Sequence, residues 1–376
     1  MSIVSRSRRR TTPLSHWILL YGGMVWIVGW FLRTPSTPAT SAPSTIQPSW
    51  TANDSVVHVV QTRFMQEQSH LTHLGRARLE LFEAITLPSV QKQTSSKFLW
   101  IIRTDPHLEA SLRDDLLSMV QDLPHAVVIS SNDNPEGFRH VHWADEVVWT
   151  PNRDLLLSYA EAAQTRRLLE TRLDADDALR LDWIEYLQQQ TFEDWKVWCV
   201  GSNMEWQYYN PWTVASTIGA LWAMQTGYCV TAGLTWGYDV HTHRSDIDVP
   251  SRHDMLHRRL SPCSPTNQTH CLDHVVSLGP GALRARTPTS AGLLNLWRPR
   301  QVDPMTQPWS DRQDKLWELV PVLFGVDVDR VQLMRARIES DLAAIVQDAV
   351  SGQCTKGHSC KSGSKRILEE LLQRGR

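Results

Sequence analysis

From residue 56 onward, short β-branched runs alternate with stretches whose apolar positions recur every three to four residues. The run 56–60 (VVHVV) predicts a first strand that ends in Gln61-Thr62-Arg63-Phe64. Residues 75–90 place Leu79, Phe82, Ala84, Ile85 and Leu87 at helical spacing, closed by Pro88 and the polar run near Gln93. A second strand at 97–103 (KFLWIIR), a second helix at 108–120 and a third strand at 126–130 (AVVIS) follow, then a turn-rich 132–137. A helix over 154–169, with Asn152 or Asp154 near its cap, leads into a short strand at 171–173. A helix at 178–190 and a strand at 195–200 (WKVWCV) complete the series. This rhythm predicts an α/β fold, a mainly parallel mixed sheet flanked by helices. From about residue 301 the pattern turns helical, at 309–324, 331–349 and 365–373, with a polar, lysine-rich tail from Ser351.

The N-terminus has a different pattern. Residues 14–32 (LSHWILLYGGMVWIVGWFL) carry no fixed charge and match one bilayer thickness as a helix. Arg6, Arg8, Arg9 and Arg10 precede them, which by the positive-inside rule keeps the short tail in the cytosol. The reading is a single-pass type II membrane protein of the Golgi or ER with its main domain lumenal. It divides into a tail (1–13), a signal anchor (14–32), a Pro/Ser/Thr-rich stem (33–54), a catalytic domain (55–300) and a helical C-terminal extension (301–376). A cleaved signal peptide competes with the anchor, but its apolar core would be shorter. Two glycosylation sequons, Asn53-Asp54-Ser55 and Asn267-Gln268-Thr269, agree with either.

Composition narrows the classes. A hydrophobic share of 41% supports a packed core, and a formal charge of −2 excludes a nucleic-acid-binding surface built on basic excess. Of six cysteines, Cys263 and Cys271 flank one short loop and Cys354 and Cys360 another, a pattern of oxidising compartments; four free thiols are the alternative. Cys199 and Cys229 lie in apolar runs and read as buried and inert.

The chemistry-bearing motif is Asp174-Ala175-Asp176-Asp177, directly after a predicted strand. In parallel sheets ligands bind at the carboxyl ends of strands. Three crowded carboxylates call for a cation, and all-oxygen ligands suit Mn²⁺ or Mg²⁺ completed by substrate phosphates. A lone acidic run is more often a solvated helix cap. An EF-hand is disfavoured, because Leu179 stands where the loop needs glycine. A phosphohydrolase pair would follow the first strand of its domain, and this run comes late.

The surrounding motifs carry a family resemblance. The run 58–64 (HVVQTRF), Arg78-Leu79 with Phe82, residues 86–90 (TLPSV), Gln93-Thr94, Phe98-Leu99-Trp100, residues 172–179 (RLDADDAL) and residues 287–292 (TPTSAG) together resemble a family of rhamnosyltransferases. The similarity covers about 55–294. That family is itself similar to inverting glycosyltransferases of the GT-A fold. The resemblance implies a nucleotide-sugar donor, a glycan or glycoprotein acceptor and a divalent metal. It also implies that nucleotide-sugar contacts fall on Thr62, Arg63, Phe64, Arg103, Asp105, Arg172 and Asp174. Asp176 is the leading metal ligand, supported by Asp174 and Asp177, with His253 completing the shell. An inverting transfer needs a general base. Asp254 and Asp248 are the first candidates, ahead of Glu205, Asp239 and Asp246. The Gly-rich run 230–238 would shape the acceptor pocket. The alternative is a catalytically inactive lumenal carbohydrate-binding protein on a transferase fold.

Overall fold

The computed structural model describes residues 55–133, 137–208, 218–249, 252–289 and 313–355. The chain divides into two units, Met1–Thr45 and Ile46–Arg376. The first lies outside the described residues, and with it the expected anchor at 14–32; the whole stem at 33–54 lies outside them too. Among the described residues no helix is long and apolar enough to cross a membrane.

In chain order the elements begin with β1 (Val56–Phe64), α1 (Thr72–Leu81), a π-helical turn (Phe82–Thr86) and α2 (Leu87–Gln91). Next come β2 (Leu99–Thr104), α3 (Ala110–Val120), β3 (Ala126–Ser130), β4 (Val147–Val148), α4 (Arg153–Thr165) and β5 (Arg167–Arg172). Then follow β6 (Ala178–Leu179), α5 (Trp183–Gln188), β7 (Trp195–Val200), β8 (Ser202–Gln207), β9 (Ala220–Gln225) and β10 (Thr235–Tyr238). The series closes with β11 (Leu272–Val275), β12 (Ala282–Arg286), α6 (Gln313–Phe324), α7 (Val328–Ser340) and α8 (Leu342–Thr355).

The main sheet has eight strands in the order β11-β7-β10-β5-β1-β2-β3-β4. β5, β1, β2 and β3 run parallel, so their carboxyl ends gather at one edge of the sheet. β10 is antiparallel to both β5 and β7. A four-stranded sheet, β6-β12-β8-β9, carries the chain that leaves the acidic run. Alternation along the strands feeds two cores. Val60, Trp100, Ile102 and Leu169 face α1, α3 and the C-terminal helices. Val57, Val59, Leu99, Ile101 and Leu168 face α4 through Leu155, Leu156 and Tyr159. Each such buried side chain contributes roughly 1.5–3 kcal/mol, which fixes strand register and with it the positions of the strand ends.

Three expected boundaries change, each for a physical reason. Pro88 does not close the helix. The preceding turn widens so that the Leu87 N–H donates to the Phe82 carbonyl, five residues back, and the chain continues helically to Gln91. α4 ends at Thr165 because β1 claims the next residues: Val56 to Gln61 pair with Arg167 to Arg172, making β5 twice the predicted length. The single helix expected at 178–190 is a strand followed by a short helix, because Ala178 and Leu179 pair with β12.

The C-terminal extension is part of the core. Leu316, Val320, Phe324, Val331, Met334, Ile338 and Ile345 pack in the same cluster as the sheet. Arg337 pairs with Glu80 at 2.9 Å, Arg330 with Glu83, and the Asp348 carboxylate accepts from the Leu74 N–H at 3.2 Å. The first four residues of the helix expected at 309–324, and all of that expected at 365–373, fall outside the described residues.

Among the described residues two disulfides form, Cys199–Cys229 and Cys263–Cys271; of the loop flanked by Cys354 and Cys360, residues 356–360 fall outside them. The first corrects the reading of Cys199 and Cys229 as inert thiols: both are buried, and they are bonded to each other.

Candidate functional site

Strand register brings cations together. Arg63 on β1 is the Cα partner of Arg103 on β2, and Gln61 is the partner of Arg172 on β5. All four line a cavity of about 440 Å³ at the strand ends. Arg103 is buried, with its Nη1 3.3 Å from Glu146 and its guanidinium 5.1 Å from the centre of the Trp143 ring. Its Nε and Nη2 are buried without a hydrogen-bond partner. An unpaired buried donor on a charged group is costly, so a ligand acceptor is the natural complement. Burial lowers the Arg103 pKa against the pull of Glu146. Burial and the neighbouring Arg172 and Arg103 lower that of Arg63, with Asp174 opposing.

The other wall is built by β5, β10 and the segment after β10. Glu170 accepts from the Phe138 N–H at 2.6 Å, and burial raises its pKa despite Arg172, Arg139 and Arg244. The Tyr238 hydroxyl is buried without a partner, and burial followed by the Glu170 charge pushes its pKa well above the usual value. Arg244 lies 4.3 Å above the Trp236 ring and donates to the carbonyls of Ile247 and Val249 at 3.1 and 2.9 Å. Thr231, Trp236 and Tyr238, all from the Gly-rich run, line this cavity.

The acidic run turns off the end of β5. The Leu173 N–H donates to the Gln61 carbonyl at 3.0 Å, and the Asp177 N–H to the Asp174 carbonyl at 3.2 Å. Asp174 lines both the larger cavity and a second one of about 270 Å³, which holds Asp176 and Asp177. Arg63, Arg78, Arg284 and Arg286 also line the second cavity. Asp177 is buried and accepts from the Ala285 N–H at 2.8 Å; burial and then Asp176 and Asp174 push its pKa well up. Glu205 is buried between Arg284 and Arg286, 3.4 Å from each, so this expected base candidate is a structural counter-ion. Arg78 donates through Nη2 to the Thr289 carbonyl at 3.1 Å and feels the charges of Asp176 and Asp174, joining the helix after β1 to the acidic run and the 287–289 segment.

The expected site residues are thus partly assembled. Thr62, Arg63, Arg103, Arg172, Asp174 and His253 line the larger cavity; Phe64, Asp176 and Asp177 line the smaller. The Thr62 hydroxyl accepts from Trp100 Nε1 at 3.0 Å, and the Phe64 ring packs edge-on to Phe82. Asp105 lines neither cavity: its carboxylate accepts from the His107 N–H at 2.8 Å and from Asn132 Nδ2 at 3.1 Å, fixing the loop after β2. His253 Nδ1 donates to the Cys229 carbonyl at 2.8 Å, and the ring stands in the larger cavity, apart from the smaller one that holds Asp176 and Asp177. Asp254 and Asp248 line neither cavity. Asp254 is 2.9 Å from Arg252, a bond that lowers its pKa, and Asp248 is exposed. Asp239 is held by the His241 and Thr242 N–H groups, and Asp246 by the His243 N–H.

Sequence reasoning missed Glu170, Arg244, Arg284 and Arg286. A carboxylate directly after the buried pair Leu168-Leu169 was the available signal for the first. Arg284 and Arg286 become site residues only through the pairing of β12, and Arg244 only through the packing of its turn on Trp236.

Among the described residues no group of three or more His, Cys, Asp or Glu side chains is placed to hold a metal ion. Four arginines already surround the run, and Asp177 is engaged by Ala285. An all-protein metal cage does not fit. A cation held by one or two carboxylates and completed by phosphate and water does, with Asp174 and Asp176 as donors.

A family model described as "Putative rhamnosyl transferase" matches residues 72–204, a span that contains the acidic run and the strands on either side of it. The match supports a rhamnosyltransferase-like family and hence a glycosyltransferase. No curated protein matches the chain.

Proposed function

We propose that this chain is an inverting, divalent-metal-dependent glycosyltransferase of GT-A type. It would move a sugar, rhamnose among the candidates, from a nucleotide-sugar donor to a glycan or glycoprotein acceptor. The observation that carries the reading is the buried Arg103 guanidinium, with two N–H groups lacking partners, beside Arg63 and Arg172 and across from Asp174 in one cavity. A diphosphate supplies what this arrangement lacks: paired acceptor oxygens and negative charge. The cavity volume is in the range of small-molecule sites. The position of the acidic run at the carboxyl end of a parallel strand supports the same reading.

Asp176 and Asp174 would hold the metal, which acts as a Lewis acid on the charge building on the leaving diphosphate. Arg63, Arg103 and Arg172 orient that diphosphate and share its charge. Arg78, in the same cavity, would balance the charge of Asp174 and Asp176. The base that takes the acceptor proton would come from the segment 239–259, with Asp254 and Asp248 the proposed carboxylates. Arg244 and His253 of that segment already line the cavity, so closure of the segment would bring them near. The two disulfides support an oxidising, lumenal setting for the domain; the membrane anchor is proposed from residues 14–32 of the sequence alone.

The test is a donor screen. The full chain in detergent, with Mn²⁺, is offered nucleoside-diphosphate sugars, rhamnosyl donors included. Binding and turnover of one donor, lost in Arg103→Met and Asp176→Asn, is the expected result. A folded wild type that binds none of them sinks the proposal.

A further inference from the structure

We infer that Asn267 is an N-glycan attachment site and that its glycan covers one open edge of the main sheet. The inference rests on the secretory-pathway reading above and not on the transferase chemistry. The triplet Asn267-Gln268-Thr269 has the acceptor pattern, with no proline in the middle. Such triplets arise often by chance, so the structural setting decides.

That setting is a projecting, doubly tethered loop. Cys263 and Cys271 close it with a disulfide across a sequence separation of 8. Below the disulfide the strands are zipped: the Cys263 N–H donates to the Leu272 carbonyl at 3.1 Å and the Leu272 N–H to the Ser261 carbonyl at 2.9 Å. At the tip, Ser264 and Asn267 exchange both backbone hydrogen bonds, at 2.9 and 3.0 Å, making a tight reverse turn. Asn267 and Gln268 are exposed, Thr269 half-buried. Among the described residues no hydrogen bond engages the Asn267 carboxamide, whereas its backbone N–H is held by Ser264 Oγ at 3.1 Å. The acceptor amide is therefore presented on a fixed backbone, and a glycan there displaces no protein contact.

The modification is a group transfer with a lipid-diphosphate-linked oligosaccharide as co-reactant. Nδ2 of Asn267 bonds to the anomeric carbon, the anomeric C–O bond to the diphosphate breaks, the lipid diphosphate leaves with the electron pair, and the amide gives up one proton. The location gives the glycan a purpose. The loop leads directly into β11, which ends the eight-stranded sheet and pairs with β7; on its outer side Leu272 is bonded to residues 261 and 263, and beyond Leu272 no strand among the described residues pairs with that edge. Open edges template unwanted strand pairing, and a bulky hydrated group beside one blocks it. β11 runs in the same direction as β5, and the loop joins its amino end, opposite the carboxyl strand ends where Arg63, Arg103 and Arg172 line the larger cavity, so the glycan is attached away from that opening.

The experiment expresses the full chain in eukaryotic cells, isolates it from membranes, and treats it with peptide N-glycosidase before peptide mass analysis. The expected result is conversion of Asn267 to Asp in the disulfide-linked 263–271 peptide. Asn267→Gln should remove one glycan's worth of mass, keep donor turnover within twofold of wild type, and lower the yield of unaggregated protein. The Asn53 sequon serves as an internal control. Modification at Asn53 with an unmodified 263–271 peptide overturns the inference about this loop. An absence of glycan at both sites overturns it together with the lumenal placement. Neither outcome bears on the donor screen, which reads the transferase proposal separately.

Discussion

Arg63 and Arg103 are register partners on the parallel strands β1 and β2, and both guanidinium groups line the same cavity. Like charges placed side by side on a sheet destabilise it unless something intervenes. Glu146 answers part of the Arg103 charge, 3.3 Å away, and leaves two of its donors without acceptors. The pair is built for an anion.

The first prediction follows from that pair. A nucleoside diphosphate with Mn²⁺ should raise the thermal midpoint of the wild type, by an amount corresponding to about 2.7 kcal/mol when the ligand is at a hundred times its Kd. Arg103→Lys keeps the charge and loses the fork, so it should weaken binding by roughly tenfold or more, about 1.4 kcal/mol. Arg103→Met should remove the shift. Thermal scans with and without ligand read all three, and an undiminished shift in Arg103→Met would exclude the arginine from the site.

Asp176 and Asp177 are adjacent in sequence and should behave oppositely. Asp176→Asn should lower kcat by about a hundredfold or more while the unfolding midpoint barely moves, if the carboxylate serves the transition state. Asp177 is buried, held by the Ala285 N–H, and its pKa is pushed well up. Its amide isostere keeps the acceptor, so Asp177→Asn should fold normally. Asp177→Ala should lose about 1–3 kcal/mol by orphaning that N–H. Denaturant titration beside steady-state kinetics separates the two roles.

The contrast between these neighbours shows what was legible in the chain. The β-branched runs 56–60 and 126–130 and the aromatic and valine run 195–200 become strands, because burial on both faces leaves little else for such residues. The acidic run sits at a strand's carboxyl end, as its neighbours implied. What could not be read was which carboxylate turns inward. That depends on Ala285 lying beside Asp177, 108 residues away, and on β12 pairing with β8. Glu205 was unreadable for the same reason, since its partners Arg284 and Arg286 arrive on β12. Asp254 lies against Arg252 outside both cavities, a placement that could not be read either, because local spacing says nothing about which way a short turn faces. The helix through Pro88 was missed because a π-turn is a tertiary accommodation that spacing does not encode.

The Cys199–Cys229 disulfide closes a loop with a sequence separation of 30 between β7 and the segment that precedes β10. Removing it as Cys199→Ala with Cys229→Ala should cost about 2–5 kcal/mol. It should also raise KM, because the Cys229 carbonyl that holds His253 at the cavity is then less firmly placed. Loss of the Cys263–Cys271 bond, at a surface loop remote from β5, should leave KM unchanged. Donor kinetics on both double variants test the asymmetry; equal KM values would sever the proposed link between the first disulfide and the site.

Beneath the site, His58 is fully buried on β1, and its Nε2 lies 2.8 Å from Thr171 Oγ1, which lies 2.7 Å from Thr235 Oγ1. Thr235 donates onward to the Gly233 carbonyl at 3.1 Å, so the chain of donors runs from a protonated Nε2 outward and His58 is neutral. Burial lowers its pKa from 6.5 to about 3. The unfolded chain therefore binds a proton below pH 6.5 that the folded chain refuses until about pH 3. Stability is lost as pH falls through this window, by roughly 1.4 kcal/mol per pH unit for this one group. His125, lowered by burial to about 4, adds a second such slope. Glu170 and Asp177 act in the opposite sense: their raised pKa values mean the folded chain takes their protons first, which offsets part of the loss. The difference between wild type and His58→Gln isolates the histidine. Denaturant titrations between pH 6 and pH 4 should give the variant a shallower dependence on pH by about one proton. Identical slopes would mean that His58 is charged in the folded protein, and that the Thr171–Thr235 chain does not fix its tautomer.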